Sequence, residues 1–146
     1  MLSIKNWLTQ VNSKPKLRTY KLFKTSFGAE EYVCNYLSRY KRSLLAQIRS
    51  GILPLNIEIG RHRGQAVEQR VCPFCKDVVE TEIHFVMVCP VYEQYRTQML
   101  NELSFDAVFT HLNTSEKFVR LMKQYYKEAA TYIQKSWLLR QSKLFM

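Results

Sequence analysis

The strongest constraint on this chain is a spacing. Cys72 and Cys75 are separated by two residues, His84 follows after eight more, and Cys89 after a further four, giving C-x2-C-x8-H-x4-C. A two-residue spacer lets one tight turn present both sulfurs to a single ion, and a second pair carried by a helix can complete a tetrahedron. Glu80-Thr81-Glu82 offers a cap and an acidic first turn, which places His84 at the start of a short helix ending where Cys89 meets Pro90. On an ideal helix residues five apart sit about 140° from eclipsed. The helix is therefore expected to fray at Cys89, since the residue before a proline is pushed out of the α region and its sulfur can swing back. Soft donors favour Zn2+ over magnesium, calcium or copper, and four protein ligands leave no position for water, so the expected site is structural. Three thiolates and a neutral imidazole around a divalent ion leave one negative charge, which Arg70 and Lys76 can partly offset.

Two other readings of these residues stand beside zinc. The cysteines can be small buried hydrophobes with His84 a core histidine. Alternatively Cys72-Pro73-Phe74-Cys75 resembles a glutaredoxin active site, which implies a thiol oxidoreductase. That motif should follow a buried strand, whereas Val67-Glu68-Gln69-Arg70-Val71 precedes it here, and His84 and Cys89 would have no role. Disulfide stapling is disfavoured by the reducing interior of the cell. Cys34 reads as core packing, and His62 and His111 as surface or loop residues.

Around this knuckle the periodicity is helical. Ile4, Trp7, Leu8 and Val11 mark a short helix, and Val33, Tyr36, Leu37, Tyr40, Leu44, Leu45 and Ile48 fit one stripe over residues 29–50. Ser38 can divide that stretch by capping a second helix, and Gly51 sits where a left-handed C-terminal residue is wanted. Residues 52–60 read as a buried connector too interrupted for a helix, and residues 61–70 as an exposed polar loop. Pro90 can open a helix through Tyr92, Tyr95, Met99 and Leu103, and a short helix is expected over 105–112. Thr114 or Ser115 then caps the longest helix, with Phe118, Leu121, Met122, Tyr125, Ala129, Tyr132, Ile133 and Trp137 on its core face. The expectation is an all-α, small helical domain with an inserted CCHC zinc-binding knuckle. It forms a single domain over 1–146, divided into a basic helical part (1–60), the knuckle and its helix (61–100) and the C-terminal helices (101–146).

Charge narrows the function. The 146 residues carry 22 Lys and Arg against 12 Asp and Glu, a net charge of +10, and residues 1–50 alone hold +8. A basic N-terminal third suits a polyanion, because each neutralised phosphate releases counterions. With only Asp77 and Asp106 as aspartates, no glycine-rich phosphate loop and no G-x-S-x-G elbow, the chain lacks the parts of a metal-dependent nuclease or polymerase centre, and it reads as not an enzyme. No apolar run approaches the roughly 18 residues of a membrane span, and no secretory segment opens the chain. The expected location is intracellular, in the nucleus.

Several of these residues together resemble a known region. RSLLAQIRSGILPL at 42–55, Glu58-Ile59-Gly60-Arg61, Cys72-x2-Cys75, Glu80-x-Glu82-Ile83-His84-Phe85 and Cys89-Pro90-x-Tyr92-x3-Arg96 are similar, in that order, to the zinc-binding domain C-terminal to the polymerase core in LINE-type (non-LTR) retrotransposon reverse transcriptases. The likeness covers roughly residues 14–100. It implies that Cys72, Cys75, His84 and Cys89 hold zinc and that the module helps to hold element RNA or target DNA beside a polymerase. Polymerase and endonuclease parts are not in this sequence, so reverse transcription does not carry over. A fragment, a decayed copy and a co-opted module all fit.

The combined reading is a zinc-binding module that binds RNA or DNA. Its expected contacts are Lys16, Arg18, Lys21, Lys24, Arg39, Lys41, Arg42 and Arg49 with the Arg61/Arg63 loop, mainly on phosphate, and Tyr20, Tyr36 and Tyr40 can add stacking. The alternative is a zinc-stabilised scaffold whose partner is a polypeptide, bound through the long C-terminal helix.

Overall fold

A computed structural model describes residues 37–145 together with Leu22. The expected helix at 4–11 and the contacts Lys16, Arg18, Lys21 and Lys24 lie outside the described residues, as do Cys34, Tyr20 and Tyr36.

The fold is all-α, and among the described residues no strand forms beyond a single antiparallel bridge between Val71 and Val79. Helix α1 (Arg39–Ser50) starts where Ser38 accepts a hydrogen bond from the Lys41 N–H and stops at Gly51, whose φ of 71° is the left-handed cap. Ser38 thus caps a helix, as expected, and the rest of the stretch before Leu37 lies outside the described residues. Leu44, Leu45 and Ile48 form the buried face of α1.

The connector at 52–60 proves to be partly helical: α2 spans Asn56–His62. Leu55 precedes it with no capping side chain, and the first N–H group, that of Asn56, donates to the Glu80 carboxylate at 2.7 Å. Glu80 is 24 residues away. A cap supplied from so far along the chain leaves no local trace. The stretch after it is exposed, as expected, and includes a 3-10 turn over Val67–Gln69.

After the knuckle, a 3-10 turn (Pro90–Tyr92) leads into α3 (Glu93–Glu102), followed by the short α4 (Ala107–Thr110) capped by Asp106. The expected single long helix is two, α5 (Thr114–Lys123) and α6 (Tyr126–Leu144). The cap of α5 is Asn113, not Thr114 or Ser115. It forms a reciprocal pair with Glu116, each side chain accepting the other's backbone N–H. The break falls at Gln124 and Tyr125 without glycine or proline. There the Tyr125 hydroxyl donates to Asp106 Oδ2, and Arg120 bridges to the same carboxylate at 3.0 Å, so tertiary anchoring overrides an unbroken helical pattern.

Helix α6 is the post on which α1, α3 and α5 pack. Lys41 Nζ donates to Thr131 Oγ1, and Arg49 Nη1 to the Met122 carbonyl. The start of α1 is thus tied to α6 and its last turn to the end of α5. Arg96 meets Tyr132, and Lys135 reaches both Gln98 and the Tyr95 ring, which packs α3 along the middle of α6. The core they enclose runs without interruption from Leu44 through Phe85 and Val86 to Phe118, Leu121, Ala130 and Ile133. No helix of the described residues is long and apolar enough to cross a membrane.

Candidate metal centre

Residues 71–79 form a tight loop closed by the Val71–Val79 bridge and by the Cys72 N–H, which donates to the Val78 carbonyl at 2.7 Å. The Lys76 N–H returns to the Cys72 carbonyl, and Lys76 itself adopts φ 67°, the left-handed region that glycine enters without cost. This turn directs both cysteines of the first pair the same way.

The second pair sits on a short helical turn whose start is fixed by Thr81, the Oγ1 of which accepts the His84 backbone N–H. His84–Val88 is a π-helical turn, closed by the Cys89 N–H on the His84 carbonyl at 2.8 Å. Fraying is only half of the outcome. The wide turn swings residue i+5 back over residue i, and Cys89 then leaves the helix at φ −58°, ψ 124°, as a residue before proline should. The five-residue separation that an α-helix cannot accommodate is what a π turn provides.

The four side chains converge. One donor atom from each of Cys72, Cys75, His84 and Cys89 lies within 4.8 Å of all the others. Cys89 Sγ is 3.9 Å from both Cys72 Sγ and Cys75 Sγ, and Cys75 Sγ is 3.7 Å from His84 Nε2. Cys72, His84 and Cys89 are buried and Cys75 is half-buried. Burial pushes the Cys89 thiol up to about 12, with the Cys72 and Cys75 sulfurs adding to the shift against an opposing Val91 N–H. Burial, then the charge of Cys72, raises Cys75 as well. Burial lowers His84 and keeps its imidazole neutral, the form that ligates. Three sulfurs this close can ionise together only around a cation, so the group is suited to holding a metal ion.

Outside the ligands the backbone is braced by an arginine. Buried Arg96 donates through Nε to the Val86 carbonyl and through Nη2 to the Cys89 carbonyl and the Tyr132 hydroxyl, and Nη1 pairs with Glu93. Tyr132 in turn donates to the Phe85 carbonyl at 2.7 Å. These contacts satisfy carbonyls along the π turn and bind it to α6.

Glu80 was expected to act as a helix-start acid together with Glu82. Instead, fully buried, it takes both Nε (2.9 Å) and Nη2 (2.7 Å) of Arg140 from α6 while capping α2. Glu82 is also buried. Of the expected charge-balancing residues, Lys76 is exposed beside Cys75, whereas Arg70 is spent on the Gln65 and Ile57 carbonyls. Arg96, Glu80 and Arg140 carry no sequence mark of burial. Their partners are carbonyls and a carboxylate remote in the chain.

The expected nucleic-acid contacts divide. Arg39, Arg42 and Arg63 are exposed, as is Tyr40. Lys41 is partly engaged by Thr131, and Arg61 makes a two-pronged pair with Glu58. Arg49 is a correction: at 2% exposure, with Nη1 on the Met122 carbonyl, it locks α1 to α5 and does not face a ligand. His62 and His111 are exposed, as expected.

No protein-family model, curated protein or solved structure matches the chain significantly.

Proposed function

We propose that the chain is a non-catalytic, zinc-stabilised helical module that binds nucleic acid and derives from, or forms part of, a retrotransposon reverse-transcriptase-like protein. The closed Cys3His donor set carries this reading. A tetrahedral zinc about 2.3 Å from sulfur and about 2.05 Å from nitrogen calls for sulfur–sulfur edges of about 3.8 Å and sulfur–nitrogen edges of about 3.6 Å. Three of the six edges, at 3.9, 3.9 and 3.7 Å, lie close to those of that solid, and all four donor atoms lie within 4.8 Å of one another. With all four corners supplied by protein, the metal's task is to fix the loop and the π turn against α6. The motif order from Arg42 to Arg96 supports the retrotransposon origin, and the +8 on residues 1–50 supports a phosphate-rich partner.

Two measurements test it together. Metal analysis of the purified protein should find about one zinc per chain. Binding to RNA and to DNA should weaken steeply between low and moderate salt, and Arg39→Gln with Arg42→Gln should flatten that slope by about 2. A polypeptide partner is the second reading, favoured by the exposed Phe105, Val108 and Leu138 of the C-terminal part. Absent or salt-insensitive nucleic-acid binding would transfer the function to it.

A further inference from the structure

Beside the knuckle lies a cleft of about 270 Å³, walled by Pro54 and Asn56 at the start of α2, Pro73 from the knuckle, and Trp137, Gln141 and Leu144 on the last turns of α6. Arg63 stands on its rim, exposed, and no acidic side chain lines it. The volume is at the small end for ligand pockets, suited to one ring system and not to an extended ligand. Its apolar lining sets two prolines and the Trp137 indole, with the Arg140 guanidinium 5.4 Å from the ring centre, beside Ile59, Leu144 and Phe145. Its polar edge offers both kinds of partner. Asn56 uses Nδ2 on the Val71 carbonyl, leaving Oδ1 to accept, and Gln141 uses Oε1 on Arg140, leaving Nε2 to donate.

We propose that this cleft seats one unpaired nucleobase, with the adjoining phosphate on Arg63. The proposal rests on the nucleic-acid reading above and sharpens it to a preference for single-stranded or looped segments. A slot with mixed donor and acceptor suits the edge and face of a base, which a duplex keeps stacked and paired. The single uncommitted guanidinium on a rim without carboxylates supplies the charge complement to a phosphate. Glu80 builds the cleft, since the same carboxylate holds the Asn56 backbone on one wall and Arg140 on the other.

The test uses the full chain carrying Trp7→Phe, which leaves Trp137 as its one indole. Ten-nucleotide U and dT single strands and a blunt ten-base-pair duplex are titrated against its fluorescence. Single strands should quench Trp137 saturably and the duplex should not. Arg63→Gln should weaken single-strand binding about fivefold, and Leu144→Glu, which places a carboxylate at the mouth, about tenfold. Equal quenching by duplex, or single-strand affinities within twofold of the parent in both variants, would overturn the proposal. Quenching by a proline-rich decapeptide and not by oligonucleotides would overturn it too, in favour of a polypeptide. If single strands and duplex both bind with salt-dependent affinity while Trp137 stays unmoved, the cleft alone fails. If neither binds at low salt, the nucleic-acid reading of the whole chain fails with it.

Discussion

The knuckle at 71–89 and the helical part at 107–144 hold their shapes by different means. The helical part buries Phe109, Phe118, Leu121, Met122, Ala129, Ala130 and Ile133, and caps α4 and α5 with Asp106 and Asn113. It is stabilised as most helices are, by an apolar face and satisfied ends. The knuckle's tip, residues 76–78, is exposed, and Phe74 and Val79 are only partly buried. Phe85 and Val86 anchor the π turn in the core, but the loop at 71–79 buries too little apolar surface to offset its ordering entropy, a role that four side chains able to hold one metal ion can take over. The two regions meet through Glu80, Arg96 and Tyr132, so the effect of a bound metal should reach into α6 but fade along the helices beyond it.

Four experiments break or sharpen this contrast. Removing the ion with a chelator, or substituting Cys75→Ser, forfeits a binding energy on the order of 10 kcal/mol. Amide exchange over 71–89 should rise towards that of an unfolded chain while α5 and the first half of α6 keep measurable protection. Uniform loss of protection would show that the two regions fold as one unit. Next, Glu80→Gln leaves Arg140 buried without its counter-charge and should cost about 3–5 kcal/mol in urea unfolding. Metal content should be unchanged, because none of the four clustered side chains is touched.

The third experiment acts on the helical side alone. The Tyr125 hydroxyl, then the Phe109 N–H and Arg120, hold the Asp106 carboxyl below its ordinary value of 3.8. A depressed folded-state value contributes stability that is fully present above the unfolded value and lost as pH falls through the folded one. The difference in Tm between parent and Asp106→Asn should therefore be largest above pH 4–5 and shrink below about pH 3.8. A difference that does not change with pH would assign Asp106 a purely steric role. The smallest effect belongs to the knuckle's tip: Lys76→Gly relieves the left-handed backbone at φ 67° and should raise stability by up to about 1 kcal/mol.

What was legible in the sequence is what local chemistry decides. Ser38 and Gly51 mark the ends of α1 because a hydroxyl cap and a left-handed residue act on their own neighbours. The convergence of Cys72, Cys75, His84 and Cys89 was legible because metal coordination would fix residue type and spacing together. The features that escaped depend on distant partners. Helix α2 starts on a carboxylate 24 residues away, and α5 stops where Tyr125 reaches Asp106. Arg49 and Arg140 look like surface cations until a carbonyl and a carboxylate from elsewhere in the chain enclose them. The mismatch between His84 and Cys89 was visible as a geometric problem, but its solution by a π turn was not, since nothing in His-Phe-Val-Met-Val distinguishes that turn from an ordinary one.

That turn sets which parts of the motif can change in length. The eight residues between Cys75 and His84 include an exposed tip at 76–78, where an insertion would lengthen a solvated loop and leave the bridge and the ligands in place. The four residues between His84 and Cys89 have no such slack. One more or one fewer would abolish the bond from residue i+5 to residue i and rotate a sulfur out of the cluster. Natural variants of this chain should accordingly tolerate gaps in the first spacer and keep the second at a fixed count.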